Sequence, residues 1–288
     1  MPESVAGAVV PDFLVAIPIS YRSISSAGTG LRVGEVTVEV DAGLAVITID
    51  RPHARNAIGL ATIDDLGRAL DELEQAAVEV LVIRGGGDRA FVSGGDLKEL
   101  SAIRDEDGAI AMATSMRRLL DRVATFPAPV IAAMNGHALG GGAEVAVAAD
   151  LRVAADDIKV GFTQVRLGIM PAWGGAERLA EIVGRSRALL LIARGTTLTA
   201  GEAEALGLVD VVAPRAEFDA AWRELAQTFV DLPPGTGRSV KDVLAAAHPS
   251  HHPTLEGPAV RHFARLWVGD AHWAAAERPR PARNPTEA

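Results

Sequence analysis

The chain has 288 residues, enough for one large domain with a sizeable core or for one domain and a small appendage. Its 49% hydrophobic and 23% charged residues exclude a disordered chain, and a formal net charge of −9 argues against nucleic-acid partners, which need a basic face. It has no cysteine, which excludes disulfides, thiolate nucleophiles and cysteine-bound metals and suits a reducing, cytoplasmic setting.

Residues 1–34 read as an N-terminal extension that closes in a Ser/Gly-rich link over 23–34. Its apolar part, from Val5 to Ile19, is interrupted by Pro11, Asp12 and Pro18 and has no basic start, so it reads as a poorly structured extension and not as an export signal. No stretch has the length and apolar character of a membrane span. Residues 36–40 and 44–50 predict a hairpin around Asp41-Ala42-Gly43. A helix follows over 62–77, with Ile63, Leu66, Leu70 and Leu73 on one face. Val80-Leu81-Val82-Ile83 predicts a buried strand, ended by three glycines at 85–87.

Residues 90–98 form a glycine turn ahead of a helix, and the span 109–125 predicts another helix, stopped by Pro127. A strand over 129–134 then runs into the glycine-rich stretch 135–144 and a small apolar helix, before a strand at 151–154. Alternating strands and helices predict an α/β core with parallel pairing. Helices are expected near 200–206, 219–230, 239–247 and 259–267, with a polar, proline-rich tail from 278. The domain expectation is a core over 35–200, a helical C-terminal region over 201–277 and a flexible tail over 278–288.

The chemistry concentrates in two glycine turns. Gly140-Gly141-Gly142 at a strand-to-helix junction exposes backbone N–H groups, with the positive end of a helix behind them. Glu144 follows Gly141 by three residues, so it shares that helix face and can move a proton there. Ser93-Gly94-Gly95-Asp96 is a second such turn on a separate element. Two turns of this kind can converge on one oxygen that is gaining charge, where each donor contributes about 3–4 kcal/mol.

Ala-Phe-Val-Ser-Gly-Gly-Asp-Leu-Lys at 90–98 and Gly-His-Ala-Leu-Gly-Gly-Gly-Ala-Glu at 136–144 resemble the two signatures of the crotonase, or enoyl-CoA hydratase/isomerase, superfamily. Asn56-Ala57 after Arg51-Pro52 is similar to that family's early Asn-Ala motif. The block from Leu167 to Leu179 and the Ala-x-x-x-Gly-Leu-Val stretch from Ala203 to Val209 are similar to its later motifs. The resemblance covers roughly residues 35 to 270, with its motifs in order.

This resemblance implies a crotonase-type spiral of ββα turns with a helical C-terminal region, assembled as a homotrimer or a dimer of trimers. It implies acyl-CoA thioester substrates and no metal or redox cofactor, CoA entering as part of the substrate. Gly95 and Gly141 would donate the oxyanion-hole N–H groups. Gly95, Asp96, Leu97, Lys98 and Gly141 would line the CoA site, with Ala54 near the adenine.

One departure matters most. Where the hydratases of the family carry a second glutamate, this chain has Gln164, and a carboxamide can position water or a carbonyl but exchanges no proton near neutral pH. Ala172 replaces a glycine common in hydratases and Trp173 is bulky beside it, which implies a reshaped pocket. Glu144 becomes the single acid/base, set against its plainer role as a helix N-terminal acid. The resulting expectation is an enoyl-CoA hydratase/isomerase-like enzyme working through an enolate. Isomerisation and decarboxylation of a malonyl-type thioester gain weight over hydration, and a non-catalytic acyl-CoA-binding or scaffold protein is the alternative of another class.

Other polar residues read as structural. Asp96 fits a helix cap, Lys98 a solvated lysine and His137 a local hydrogen bond. His248, His251 and His252 lie among Pro249 and Pro253 and read as a loop, not a metal site. Ser93 lacks a Gly-x-Ser-x-Gly setting, and the 85–87 turn lacks the Gly-Lys-Ser/Thr of a phosphate loop.

Overall fold

The computed structural model describes residues 29–247 and 253–278. The greater part of the N-terminal extension, the three histidines at 248, 251 and 252, and the tail after Arg278 lie outside the described residues.

The described residues begin with β1 (Thr29–Val33), β2 (Val36–Asp41) and β3 (Leu44–Ile49), an antiparallel run, followed by helix α1 (Leu60–Glu74). Three strand–strand–helix units follow. The first has β4 (Val80–Gly85), β5 (Ala90–Val92) and helices α2 (Leu97–Leu100) and α3 (Glu106–Ala124). The second has β6 (Val130–Met134), β7 (His137–Leu139) and α4 (Gly141–Ala148). The third has β8 (Leu151–Ala155), β9 (Lys159–Gly161), α5 (Gly175–Val183) and α6 (Arg185–Arg194).

The first strand of each unit enters a seven-stranded sheet in the order β1-β2-β3-β4-β6-β8, closed by the later strand β11 (Val211–Ala213). The second strand of each unit enters a four-stranded sheet, where β5, β7 and β9 lie side by side and parallel. Each unit therefore advances one strand in both sheets, and the chain winds as the expected α/β spiral of ββα turns. Strands β4, β6 and β8 are covered on both faces, which is why they read as continuous apolar runs and not as alternating ones.

Helix α3 begins at Asp105, whose side chain accepts a hydrogen bond from the Gly108 N–H at 2.8 Å. Its buried face carries Ala109, Met112, Ala113, Met116, Leu119, Leu120 and Val123 at helical spacing. After α6 come β10 (Thr197–Thr199) and α7 (Ala200–Ala205), then β11 and the helices α8 (Phe218–Val230), α9 (Thr236–Ala247), α10 (Pro253–Trp267) and α11 (Asp270–Ala276). Helix α10 packs on α3 through Val260, Phe263, Ala264 and Trp267.

Two differences from the expected elements have clear causes. The Ser/Gly-rich link holds strand β1, whose apolar alternation is confined to Leu31-Arg32-Val33 and which is extended by pairing with β2 from Thr29↔Val40 to Val33↔Val36. The region expected to be helical after residue 200 also contains β11, which returns to the sheet to pair in parallel with β8.

Two buried asparagines fasten the turns after β4. Asn135 accepts from the Gly85 N–H at 3.0 Å and donates to the Gly85 carbonyl at 2.8 Å. Asn56, held at a left-handed φ of 55°, donates to the carbonyls of Gly86 and Ala90 at 2.9 and 2.7 Å and accepts from the Arg51 N–H at 3.0 Å. Both side chains satisfy backbone groups that the sheets leave unpaired at the foot of the site.

Candidate active site

The three glycines ahead of α4 are required for three different reasons. Gly140 has φ 57° and ψ −120°, a conformation that side chains resist. A methyl group on Gly141 would lie 2.1 Å from Cζ3 of Trp173. One on Gly142 would lie 1.8 Å from the Val92 carbonyl oxygen, so only glycine lets α4 start against β5.

The second turn lies beside the first. A methyl on Gly94, itself at φ 109°, would sit 3.4 Å from the Gly141 nitrogen. Ile58 pairs with Gly95 as an isolated parallel bridge: the Ile58 N–H donates to Gly94 O at 2.9 Å and the Asp96 N–H donates to Ile58 O at 2.8 Å. This pattern turns the Gly95 N–H away from Ile58. Among the described residues, neither the Gly95 nor the Gly141 N–H donates to a protein acceptor.

Glu144 is buried one turn into α4 and is held by three donors. Its Oε2 accepts from the N–H groups of Trp173 at 2.8 Å and Gly175 at 3.0 Å, and its Oε1 accepts from Gln164 Nε2 at 2.9 Å. Gly175 has to be glycine here, since a methyl would lie 2.4 Å from Glu144 Cγ. Loss of hydration raises the Glu144 pKa to about 7; the three hydrogen bonds oppose that rise, and the nearby charge of Glu177 adds to it.

Gln164 opens the 3-10 turn Gln164–Leu167, which Gly168 closes at φ 69°. Its Oε1 is buried and has no hydrogen-bond partner among the described residues. The turn is backed by α11, where the buried His272 donates from Nδ1 to Leu167 O at 2.7 Å, and burial lowers the His272 pKa.

The turn that carries Trp173 is gripped from both sides. Its N–H goes to Glu144, and its carbonyl accepts from Nη1 of the buried Arg178 at 3.1 Å, while Nη2 of Arg178 pairs with Asp121. The indole itself is buried, its six-membered ring lying between Gly141 and Gly95.

The structure thus brings Gly95, Gly141, Glu144 and Gln164 to one place. The residues expected along a CoA site have these positions. Ala54 lies in the turn Pro52–Ala54, joined to the second glycine turn where the Ser93 N–H donates to Arg55 O at 3.2 Å. Leu97 is half-buried and Lys98 is exposed. Asp96 caps α2, accepting from the Lys98 N–H at 3.2 Å, and pairs with Arg51 at 3.0 Å, so its carboxylate has structural partners. His137 accepts from the Lys159 N–H at 3.1 Å, a local contact. Among the described residues no cluster of three or more His, Asp or Glu side chains could hold a metal, and no helix is long and apolar enough to cross a membrane.

Arg178, Asp121 and His272 are site residues that sequence reasoning did not find. Their partners lie 57 and 105 positions away along the chain, and only the fold brings them together.

Comparison with known proteins finds one family. The family model described as "Enoyl-CoA hydratase/isomerase" matches residues 39–262. A "Probable enoyl-CoA hydratase" of Bacillus subtilis is 37% identical over 211 residues, covering 73% of this chain and 81% of that protein. The human "Enoyl-CoA hydratase domain-containing protein 2, mitochondrial" is 41% identical over 199 residues, covering 67% of this chain and 68% of that one. A crystal structure of an enoyl-CoA hydratase from Bacillus anthracis superposes with a TM-score of 0.71 at 31% identity, over 82% of this chain and 91% of the other.

Proposed function

The chain belongs to the enoyl-CoA hydratase/isomerase family, of the crotonase superfamily, and from that premise we propose that it shifts the double bond of an enoyl-CoA thioester through an enolate held by Gly95 and Gly141. The observation that carries this reading is the pairing of two unengaged N–H groups with the buried carboxyl of Glu144, whose neighbour, Gln164, cannot exchange a proton. The thioester carbonyl oxygen accepts from both N–H groups. Glu144 takes a proton from C2 of a 3-enoyl thioester, the electrons spread over the dienolate, and the same proton returns at C4. A 2-enoyl thioester results, with no proton gained or lost overall.

Three protein donors occupy only part of the lone-pair capacity of Glu144, so Oε1 keeps a position for the substrate proton. A pKa of about 7 lets the carboxyl both take and return that proton near neutral pH. Hydration in this family draws on two carboxylates, and here the second position is Gln164. Decarboxylation of a malonyl-type thioester would bring another anion against buried Glu144, where low hydration makes like charges costly. Isomerisation asks for the groups that are present.

The reaction as written draws on no metal or redox cofactor, and CoA enters as part of the substrate, bordered by Ala54 and residues 95–98. A homotrimer or dimer of trimers and a cytoplasmic setting complete the proposal. Light scattering in solution tests the assembly.

The deciding experiment incubates the protein with 3-enoyl-, 2-enoyl- and malonyl-type CoA thioesters in D₂O and follows product masses and NMR. Conversion of the 3-enoyl substrate to the 2-enoyl product supports isomerisation, and deuterium appears at C4 only as far as the Glu144 proton exchanges with solvent before it returns. Loss of CO₂ from the malonyl-type thioester with no isomerisation supports decarboxylation instead. Tight binding with neither exchange nor product defeats the enzymatic reading in favour of a binding or scaffold protein.

A further inference from the structure

Both proposed oxyanion glycines share one wall, the six-membered ring of Trp173. A methyl on Gly141 would lie 2.1 and 2.5 Å from Cζ3 and Cη2, and a methyl on Gly95 would lie 3.7 and 3.8 Å from Cζ2 and Cη2. Leu100 also closes on Gly95, its Cδ1 2.9 Å from the same methyl position. An acyl group whose carbonyl reaches both N–H groups must therefore run past this ring.

The wall is anchored by the groups that set the base. The Trp173 N–H donates to Glu144 Oε2 at 2.8 Å, and its carbonyl accepts from Arg178 at 3.1 Å. Moving the backbone to make room would release Glu144 from one of its donors. Ala172, buried beside the ring, offers no flexible side chain that could be displaced in its place. The indole can yield only by turning within a packed interior, which forces neighbouring side chains off their preferred conformations.

Resting on the thioester reading above, we propose that Trp173 restricts this site to short acyl thioesters, of about four carbons, and shuts out straight medium chains. One methylene without a place in an apolar pocket changes discrimination by about 10-fold or more. A chain four carbons longer meets that obstacle repeatedly, and hydrophobic gain outside the pocket recovers only part of it.

Saturated thioesters undergo no double-bond chemistry, so calorimetric binding of butyryl-CoA and octanoyl-CoA to the full chain reads the wall alone. The intact protein should bind butyryl-CoA at least about tenfold more tightly than octanoyl-CoA. Trp173→Ala should tighten octanoyl-CoA relative to butyryl-CoA by at least about tenfold. Trp173→Phe, closer in volume and safer for folding, should shift the ratio in the same direction by at least about threefold. Equal binding of the two thioesters by the intact protein, or an unchanged ratio in a folded variant, overturns the role of Trp173 and leaves the thioester reading standing. No binding of either thioester by the intact protein overturns the thioester reading and this inference with it.

Discussion

Gln164 Nε2 donates to Glu144 Oε1 at 2.9 Å, which places a carboxamide within one hydrogen bond of the site's only proposed proton carrier. The bond holds the carboxyl in place but supplies no second exchangeable proton. Gln164→Glu would set two buried carboxyl groups at this distance, and like charges so close cannot both ionise. The expected result is a pair that shares one proton, with at least about tenfold faster hydration of crotonyl-CoA and a pH profile belonging to the pair. Steady-state hydration rates from pH 5 to 9 check it. An unchanged rate would show that the Ala172–Trp173 wall, and not the missing carboxylate, keeps water out.

The titration of Glu144 links activity to stability. As the proposed base, it must lose its proton to work, so kcat/KM for isomerisation should rise with pH through about 7 and then level off. Glu144→Gln should lower kcat by about 10²–10⁴-fold. Stability should move the other way. The folded pKa of about 7 lies above the reference value of 4.5, so the folded state holds a proton that the unfolded chain gives up between these values. Stability therefore falls as pH rises through this window, by about 3 kcal/mol in all, and changes little above it on account of this group. Urea unfolding at pH 5 and pH 7.5 should show the loss in the intact protein and much less of it in Glu144→Gln.

The two glycine turns and Glu144 were legible because they are contiguous motifs: a run of glycines between a strand and a helix has few other uses. The long strands and helices were legible for a similar reason, since β4 and α3 each carry their pattern in one uninterrupted stretch. The three-residue strands β5, β7, β9 and β10 are too short to show a period, and they exist because the spiral lays each beside a neighbour already in place. The grip on Trp173 was not legible at all. It joins α4, the 3-10 turn at 164–167, α5 and α3, and nothing local to any of these announces the others.

Asn135 tests how far the site depends on its foot. Its side chain satisfies both the N–H and the carbonyl of Gly85, in a place that water does not reach. Asn135→Ala leaves two buried backbone groups without partners, each costing about 1–3 kcal/mol. A total loss of about 3 kcal/mol in urea unfolding is expected. A loss under about 1 kcal/mol would mean that the turn after β4 finds other partners and that Asn135 is not what fastens it.

Gly141 can be needed for its N–H or for its missing side chain, and the structure separates the two. Gly141→Ala keeps the N–H but places a methyl 2.1 Å from Trp173 Cζ3, so its damage is a collision with one side chain. Trp173→Ala removes the atoms in that collision. The double variant should therefore be more stable than the sum of the two single losses predicts, with a coupling of about 2 kcal/mol in favour of the pair. Gly142→Ala provides the contrast, because its methyl would meet the Val92 backbone oxygen at 1.8 Å and no side-chain deletion removes that atom. Its loss should simply add to that of Trp173→Ala, to within about 0.5 kcal/mol. Urea unfolding of the three single and two double variants measures both cycles. If Gly141 and Trp173 prove additive, the indole is not pressed against the glycine turn, and the wall it forms over the two N–H groups is lost with it.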